Sequence, residues 1–306
     1  MSGADDAQIV GRIRDDRQHG ASWLAREAAR QLARVAEGAD DAEERLRRVR
    51  ALGQALAWAR PSMATIANTV ARIWMVGEAQ AGDAQARLDA LRAEALAINT
   101  RWASAAAGMA EWARKAVSGA VYTLSRSGTV EQTLTTLARE RAGGEPLRVL
   151  VGESRPGGEG VALAGALAAA GAQVTLVADS ACAAFIDQAA LVMVGADSVR
   201  SDGAVVNKVG TRTLALVAQA AGKPVFALAE RLKVTPDSYP LVIEEMNPAE
   251  LLPASISGVT ARNIYFDVTP ARLIASVISE TGEMNVHDIA RLTEEAERAY
   301  RALMGL

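Results

Sequence analysis

A carboxylate, an amide and an ammonium follow one short apolar run and have the chemistry to bind a phosphorylated ligand. The segment VGADSVRSDGAVVNKVGTRTLAL spans 194–216, and Asp197 comes directly after a predicted buried strand. Asn207 and Lys208 follow, just before Gly210 opens a predicted helix. Open α/β sheets bind ligands at this carboxyl edge, and helix starts attract anions. The alternative is that Asp197 caps a turn and Lys208 is solvated.

A second cluster lies in VGESRPGGEGVALAGAL, residues 151–167. A predicted strand leads into a turn that contains Arg155, Gly157 and Gly158, and a helix begins near Glu159. Free N–H groups and the helix dipole favour an anion at such a start. The spacing matches neither a P-loop nor G-x-G-x-x-G. Taken alone, a glycine-rich turn between a strand and a helix is more often ordinary turn chemistry.

Other chemistries find little support. The two histidines, His19 and His287, are far apart, and Cys182 is the one cysteine. We therefore expect no metal site and no internal disulfide. Cys182 is interpreted as a small buried hydrophobic residue. Ser-His-Asp catalysis lacks a nucleophile-elbow motif.

The elements that must position these residues change character along the chain. All five tryptophans precede residue 115, in Ala/Leu/Arg-rich segments of helical period, and are interpreted as packing between helices. The predicted helices span 21–36, 42–58, 62–80, 84–115 and 129–142. Short apolar, β-branched runs at 147–151, 173–177, 190–194, 224–228 and 263–268 predict strands, and 286–303 a closing helix. Strands that alternate with helices predict a parallel sheet covered on both faces.

The composition narrows the function classes. The chain has 306 residues and a formal net charge of −3, which gives no basic surface for nucleic acid or an anionic membrane. The N-terminus, MSGADDAQIVGRIRDD, is acidic, and no apolar run approaches the length of a membrane span. With a single cysteine, these features predict a cytoplasmic globular protein.

Seven motifs carry a resemblance that covers nearly the whole chain. They are RQHGAS (17–22), RPSMA (60–64), VYTLSRSGTV (121–130), ESRPGGEG (153–160), GADSVRSDGAVVNKVGT (195–211), GKPVFALAE (222–230) and RNIYFDVTPARLIASVISETG (262–282). The sequence resembles the superfamily of the alpha, beta and delta subunits of translation initiation factor 2B. That superfamily also contains methylthioribose-1-phosphate isomerase and ribose-1,5-bisphosphate isomerase.

The resemblance implies an α/β fold with an N-terminal helical domain and a doubly wound, Rossmann-like parallel-sheet domain. We expect the helical domain at 1–120, a connector at 121–144 and the Rossmann-like domain at 145–306. A phosphorylated sugar or nucleotide would bind between the domains without a cofactor. The family is usually dimeric through the C-terminal domain, so a homodimer is expected.

The resemblance also implies roles for individual residues. Asp197 matches the aspartate that acts as acid and base in the isomerases, and Glu159 matches a glutamine that some members carry. The implied phosphate and ligand contacts are His19, Gly20 and Ala21 (Arg-Gly-Ala in the isomerases), with Arg60, Asn207 and Lys208.

One position departs from the isomerases. They use a cysteine in a Thr-His-Cys segment, and here Thr123, Leu124 and Ser125 take its place. A serine hydroxyl has a pKa far above neutrality and is a much poorer proton shuttle than a thiol. The SRSGTV segment is similar instead to the initiation-factor subunits.

Three functions therefore stay open. The first is a binding protein for a sugar phosphate or nucleotide, without the cysteine-dependent turnover. The second is an aldose–ketose isomerase for a pentose 1-phosphate, with Asp197 as acid/base and Ser125 supplying at most a hydrogen bond. The third is a regulatory subunit of a larger assembly.

Overall fold

The N-terminal third is helical because apolar residues recur at helical spacing along it. The computed structural model describes residues 3–16 and 19–306, so Arg17 and Gln18 of the RQHGAS motif lie outside the described residues. The helices are α1 (Gly3–Asp15), α2 (Ala21–Ala36), α3 (Ala42–Ala57), α4 (Ala64–Ala79) and α5 (Ala84–Ala116). Asp41 and Asp83 cap α3 and α5 by accepting backbone N–H bonds.

Helix α4 lies at the centre of this helical part. It packs against α2, α3, α5 and the C-terminal helix, and Ile66, Val70 and Ile73 are fully buried. The expected packing role of the tryptophans holds for Trp74 and Trp102, whereas Trp23 and Trp58 remain 38% and 45% exposed. Part of the Trp23 side chain therefore lies outside the helical core.

A seven-stranded, mostly parallel sheet forms the core of the C-terminal part. The strands of the chain are β1 (Val121–Leu124), β2 (Arg148–Gly152), β3 (Gln173–Val177), β4 (Leu191–Gly195), β5 (Ser198–Val199), β6 (Val205–Lys208), β7 (Val225–Leu228), β8 (Phe266–Thr269), β9 (Ser276–Ser279) and β10 (Gly282–Met284). The large sheet has the order β10-β9-β7-β4-β1-β2-β3, and only β10 is antiparallel. This confirms the α/β, doubly wound prediction.

The remaining helices are α6 (Gly128–Glu140), α7 (Glu159–Ala169), α8 (Cys182–Phe185), α9 (Thr211–Ala220) and α10 (Val286–Met304). Helices α6, α7 and α9 pack on this sheet, whereas α10 packs mainly on α4. The chain proceeds from β1 outward to β2 and β3, and from β4 outward to β7 and β9. The strand order thus reverses between β1 and β4, and ligands bind at such a crevice in open α/β sheets.

Two segments differ from the sequence-based boundaries. The expected connector at 121–144 contains β1, which is fully buried between β4 and β2, so the sheet begins at Val121 rather than near residue 145. The predicted strand at 263–268 is present as β8, but it pairs antiparallel with β6 in a small three-stranded sheet. Across the described ranges, no helix is both long and apolar enough to cross a membrane.

Candidate functional site

A cavity of about 410 Å³ lies between the helical part and the carboxyl edge of the sheet. Ser125 directly follows β1, and Asp197 follows β4, so both predicted catalytic residues lie at the switch point. The predicted site residues that line the cavity are His19, Gly20, Ala21, Arg60, Ser125, Glu159, Asp197, Asn207 and Lys208. Residues distant in sequence thus meet around one space.

The helical part contributes two helix starts to the cavity. The residues that cap α2 and α4 are Gly20 and Met63, and neither has a side-chain oxygen to accept the first N–H groups. Both residues line the cavity, together with Ala21 and Ser22. Unsatisfied N–H groups and the positive end of the helix dipole favour an anion at such a start.

Arg60 lies beside these helix starts with its orientation fixed. Its Nε donates to Glu244 at 3.2 Å and its Nη1 to the carbonyl of Asp16 at 2.8 Å. The arginine is only 3% exposed. A buried guanidinium held in this way is preorganised to donate to an anion.

His19 lies in the cavity wall directly before the start of α2. Its ring stacks on Trp23 with the centroids 3.7 Å apart, and Nδ1 lies 2.8 Å from Oδ2 of Asp16. Trp23 therefore holds His19 at the cavity wall, which explains why this tryptophan is not in the helical core.

Asp197 is tied to the helical part through its backbone. Its carbonyl accepts a 2.7 Å hydrogen bond from the hydroxyl of Thr65 on α4. Burial raises the pKa of the Asp197 carboxyl, although the nearby ammonium groups of Lys233 and Lys208 and the guanidinium of Arg60 counteract this rise. The net direction is upward, so burial outweighs the three cations.

Asn207 is held by the start of α9. Its amide Nδ2 donates to the hydroxyl of Thr211 at 2.9 Å, and that hydroxyl donates to the carbonyl of Lys208 at 2.6 Å. Gly195, at the end of β4, makes room for Ser127, which also lines the cavity, because a Cβ there would lie 2.5 Å from the side chain of Ser127. The glycine is thus a steric requirement of the site.

Lys208 bridges the small sheet and α7. Its Nζ donates to Oε1 of Glu159 at 2.6 Å and lies 4.2 Å from the centroid of the Tyr265 ring. The two charged side chains are 11% and 30% exposed. This charge-assisted hydrogen bond forms part of the cavity wall.

Ser125 adopts a left-handed backbone conformation, with φ at 60°. Its N–H donates to Oγ of Ser154 at 2.5 Å, and Ser154 is held in turn by Asp179, which accepts from the Ser154 N–H at 2.9 Å. Ser125 is 9% exposed and lines the cavity. Non-glycine residues with positive φ are often functional.

Three predicted ligand-binding residues lie apart from the cavity lining. Arg155 is exposed, and its guanidinium is directed toward the carbonyl of Glu250 at 3.4 Å. Gly157 and Gly158 form the turn before α7, where Gly158 has a left-handed φ of 72°. None of these three residues lines the cavity, and their ligand contacts stay predictions.

A buried ion pair adds a cation that the sequence analysis missed. Nζ of Lys233 lies 2.9 Å from Oε2 of Glu230, and the two side chains are 3% and 6% exposed. Thr129 donates to the other oxygen of Glu230 at 2.6 Å. Lys233 lines the cavity. The informative signal was its location shortly after β7, at the same sheet edge as Asp197.

The remaining chemical candidates lie elsewhere. Within the part of the chain that the structure describes, no three His, Cys, Asp or Glu side chains group as metal ligands. Cys182 is buried, and burial raises the pKa of its thiol.

Comparisons with known proteins match most of the chain. The Initiation factor 2 subunit family matches residues 17–286. A ribose 1,5-bisphosphate isomerase from Archaeoglobus fulgidus is 32% identical over 90% of this chain and 88% of its own. A methylthioribose-1-phosphate isomerase from Xylella fastidiosa is 33% identical over 89% of this chain and 80% of its own.

A solved structure shares the fold. The translation initiation factor eIF-2B of Pyrococcus horikoshii superposes with a TM-score of 0.78 at 28% identity, over 93% of this chain and 98% of that one. The sequence match and the shared fold extend over both the helical part and the sheet, and the chain belongs to the Initiation factor 2 subunit family.

Proposed function

We propose that this protein binds a phosphorylated sugar or nucleotide in the cavity between α2, α4 and the carboxyl edge of the sheet. The observation that carries the proposal is the convergence of two kinds of group. The starts of α2 and α4 with Arg60 suit a phosphate, and Asp197, Asn207 and Lys208 suit hydroxyl groups.

The test is calorimetric titration with α-D-ribose 1-phosphate and, separately, with adenosine 5′-monophosphate. Lys208→Ala removes a cation from the cavity wall and should weaken binding by about 2–3 kcal/mol, or roughly 30- to 150-fold. Lys115→Ala is the matched control, since that side chain is 76% exposed on α5, and it should bind like the wild type. If neither ligand binds the wild type, the proposal is contradicted.

We propose further that binding occurs without the cysteine-dependent isomerase turnover, because Ser125 takes the place of the thiol. A neutral hydroxyl has little tendency to release its proton near pH 7, so Ser125 would act only as a hydrogen-bonding group. Nuclear magnetic resonance of the bound sugar phosphate over hours would test this, and a ketose product would refute it.

A second candidate is an aldose–ketose isomerase acting on a pentose 1-phosphate. The observation that favours it is the location of Asp197 in the cavity wall, where burial raises the pKa of its carboxyl, since the pKa values of catalytic acids and bases are often shifted by burial. The names of the two relatives point the same way. Turnover in the wild type that disappears in Asp197→Asn would establish this candidate.

The setting that we propose is a cytoplasmic homodimer that does not bind nucleic acid. The net charge of −3 and the single buried cysteine support the compartment and the lack of nucleic acid. Beyond Glu159, α7 contains only apolar residues and glycine, and Val161 is 54% exposed, which supports an interface on the C-terminal part. Sedimentation equilibrium would test the dimer.

A further inference from the structure

The carboxylate of Glu159 has a defined location in the cavity wall. It belongs to the first turn of α7, where the helix dipole favours a negative charge. It folds back over the preceding turn, so that a Cβ on Gly157 would lie 2.7 Å from Cδ of Glu159. Together with the 2.6 Å bond from Lys208, these contacts fix an anion inside the cavity.

The Lys208–Glu159 pair offers both a donor and an acceptor. Oε1 of Glu159 accepts from Lys208, whereas Oε2 is buried and has no hydrogen-bond partner among the described residues. A sugar hydroxyl can donate to the carboxylate and accept from the ammonium. A phosphate dianion has only acceptor oxygens and would face a like charge across the pair.

The charges around the cavity limit how many anionic groups a bound ligand can have. Among the residues that the structure describes, its lining contains four Lys and Arg cations, each paired with a carboxylate: Arg60 with Glu244, Arg126 with Glu131, Lys208 with Glu159 and Lys233 with Glu230. Two further carboxylates also line it: Asp16, which lies 2.8 Å from the His19 ring nitrogen, and Asp197. These four cations are thus already balanced, and the helix starts and Arg60 favour one phosphate.

We infer that Glu159 is a specificity-determining residue: it admits a sugar hydroxyl at Lys208 and rejects a second phosphate, so the ligand is singly phosphorylated. This rests on the proposed function, since it specifies the ligand of the same cavity. A neutral residue at this position in a relative would leave the Lys208 cation without a carboxylate partner. A relative named for a bisphosphate at 32% identity therefore does not fix the ligand of this chain.

The experiment compares α-D-ribose 1-phosphate with α-D-ribose 1,5-bisphosphate by calorimetric titration. The wild type should bind the monophosphate at least about tenfold more tightly, because the second phosphate meets the carboxylate. Glu159→Gln keeps the size and one acceptor, and it should remove this preference by improving bisphosphate binding. Glu145→Gln, an exposed position with the same change of charge, should leave the preference unchanged.

The outcomes separate this inference from the function beneath it. Equal or tighter binding of the bisphosphate by the wild type would overturn the role of Glu159 while leaving a phosphate-binding cavity. An equal effect of Glu159→Gln on both ligands would also overturn it, since a merely structural residue would act on both alike. Binding of neither ligand to the wild type would refute the proposed function, and the inference with it.

Discussion

The Lys208–Glu159 pair allows a quantitative prediction about the cavity wall. Lys208→Met keeps most of the aliphatic stem but removes the ammonium, which leaves the Glu159 carboxylate without its cation. Removing one partner of a fully buried ion pair destabilises the folded state by about 3–5 kcal/mol. The two side chains are 11% and 30% exposed, so water compensates in part. We expect Lys208→Met to lower the free energy of unfolding by about 2 kcal/mol.

The same substitution should cost less when the carboxylate is absent. In a Glu159→Gln background, Lys208→Met breaks only a bond to a neutral acceptor, worth about 1 kcal/mol. The contact between Lys208 and the Tyr265 ring is lost in both backgrounds and cancels. The coupling energy should therefore be about 1 kcal/mol or more.

Urea unfolding of the four proteins of this cycle measures the coupling. Additive effects, within about 0.5 kcal/mol, would refute the reasoning, because they would mean that the two charges do not interact in the folded chain. The control cycle uses Lys115 and Glu111, an exposed ion pair at 3.2 Å on α5, and should show no measurable coupling.

Three further predictions concern other parts of the molecule. Ser125→Cys should introduce isomerase turnover of α-D-ribose 1-phosphate at a rate at least about 100-fold above the wild-type background, since a thiol transfers protons near neutrality. Burial raises the pKa of Asp267 from 3.8 to about 6, so its contribution to stability is present below pH 4 and is lost as the pH rises through 6, by about 3 kcal/mol. Asp267→Asn should flatten this part of the stability–pH profile. Gly160→Ala should cost more than about 3 kcal/mol, because its Cβ would lie 1.8 Å from the carbonyl oxygen of Gly152.

Each of these three predictions can be contradicted by a specific result. No change of turnover in a folded Ser125→Cys protein would show that more than the thiol is missing. An unchanged slope of unfolding free energy between pH 4 and 7 in Asp267→Asn would refute the burial argument. Gly165→Ala, also in α7 but with nothing within 4 Å of its Cβ, should be neutral or slightly stabilising. Similar costs at the two glycines would contradict the contact with Gly152.

The sequence predicts most of the long elements because their patterns are local. Helices α2 to α5 and strands β2 to β4 lie within a few residues of their predicted bounds. Strand β1 was missed because VYTL is only four residues long and precedes a helix, and its burial depends on neighbours on both sides. The antiparallel pairing of β8 with β6 is likewise non-local and produces no recognisable pattern in the sequence of either strand.

The candidate site shows the same difference between local patterns, which the sequence reveals, and non-local contacts, which it does not. Asp197 was recognisable because it follows a buried strand of the large sheet, and Asn207 and Lys208 because they come just before the start of a helix, although they lie within β6. Lys233 was missed because its burial with Glu230 depends on how the chain folds after β7. At the glycine-rich turn the local pattern indicates an anion site, and Glu159 places a carboxylate in the first turn of α7, so ligand binding at this turn stays a prediction.

A crystal structure of the full chain with α-D-ribose 1-phosphate tests the central claim most directly. The account predicts the phosphate at the starts of α2 and α4, within hydrogen-bonding distance of Arg60, and sugar hydroxyls at Asn207 and the Lys208–Glu159 pair. A phosphate bound elsewhere, or a cavity that stays empty at saturating ligand, would contradict the account.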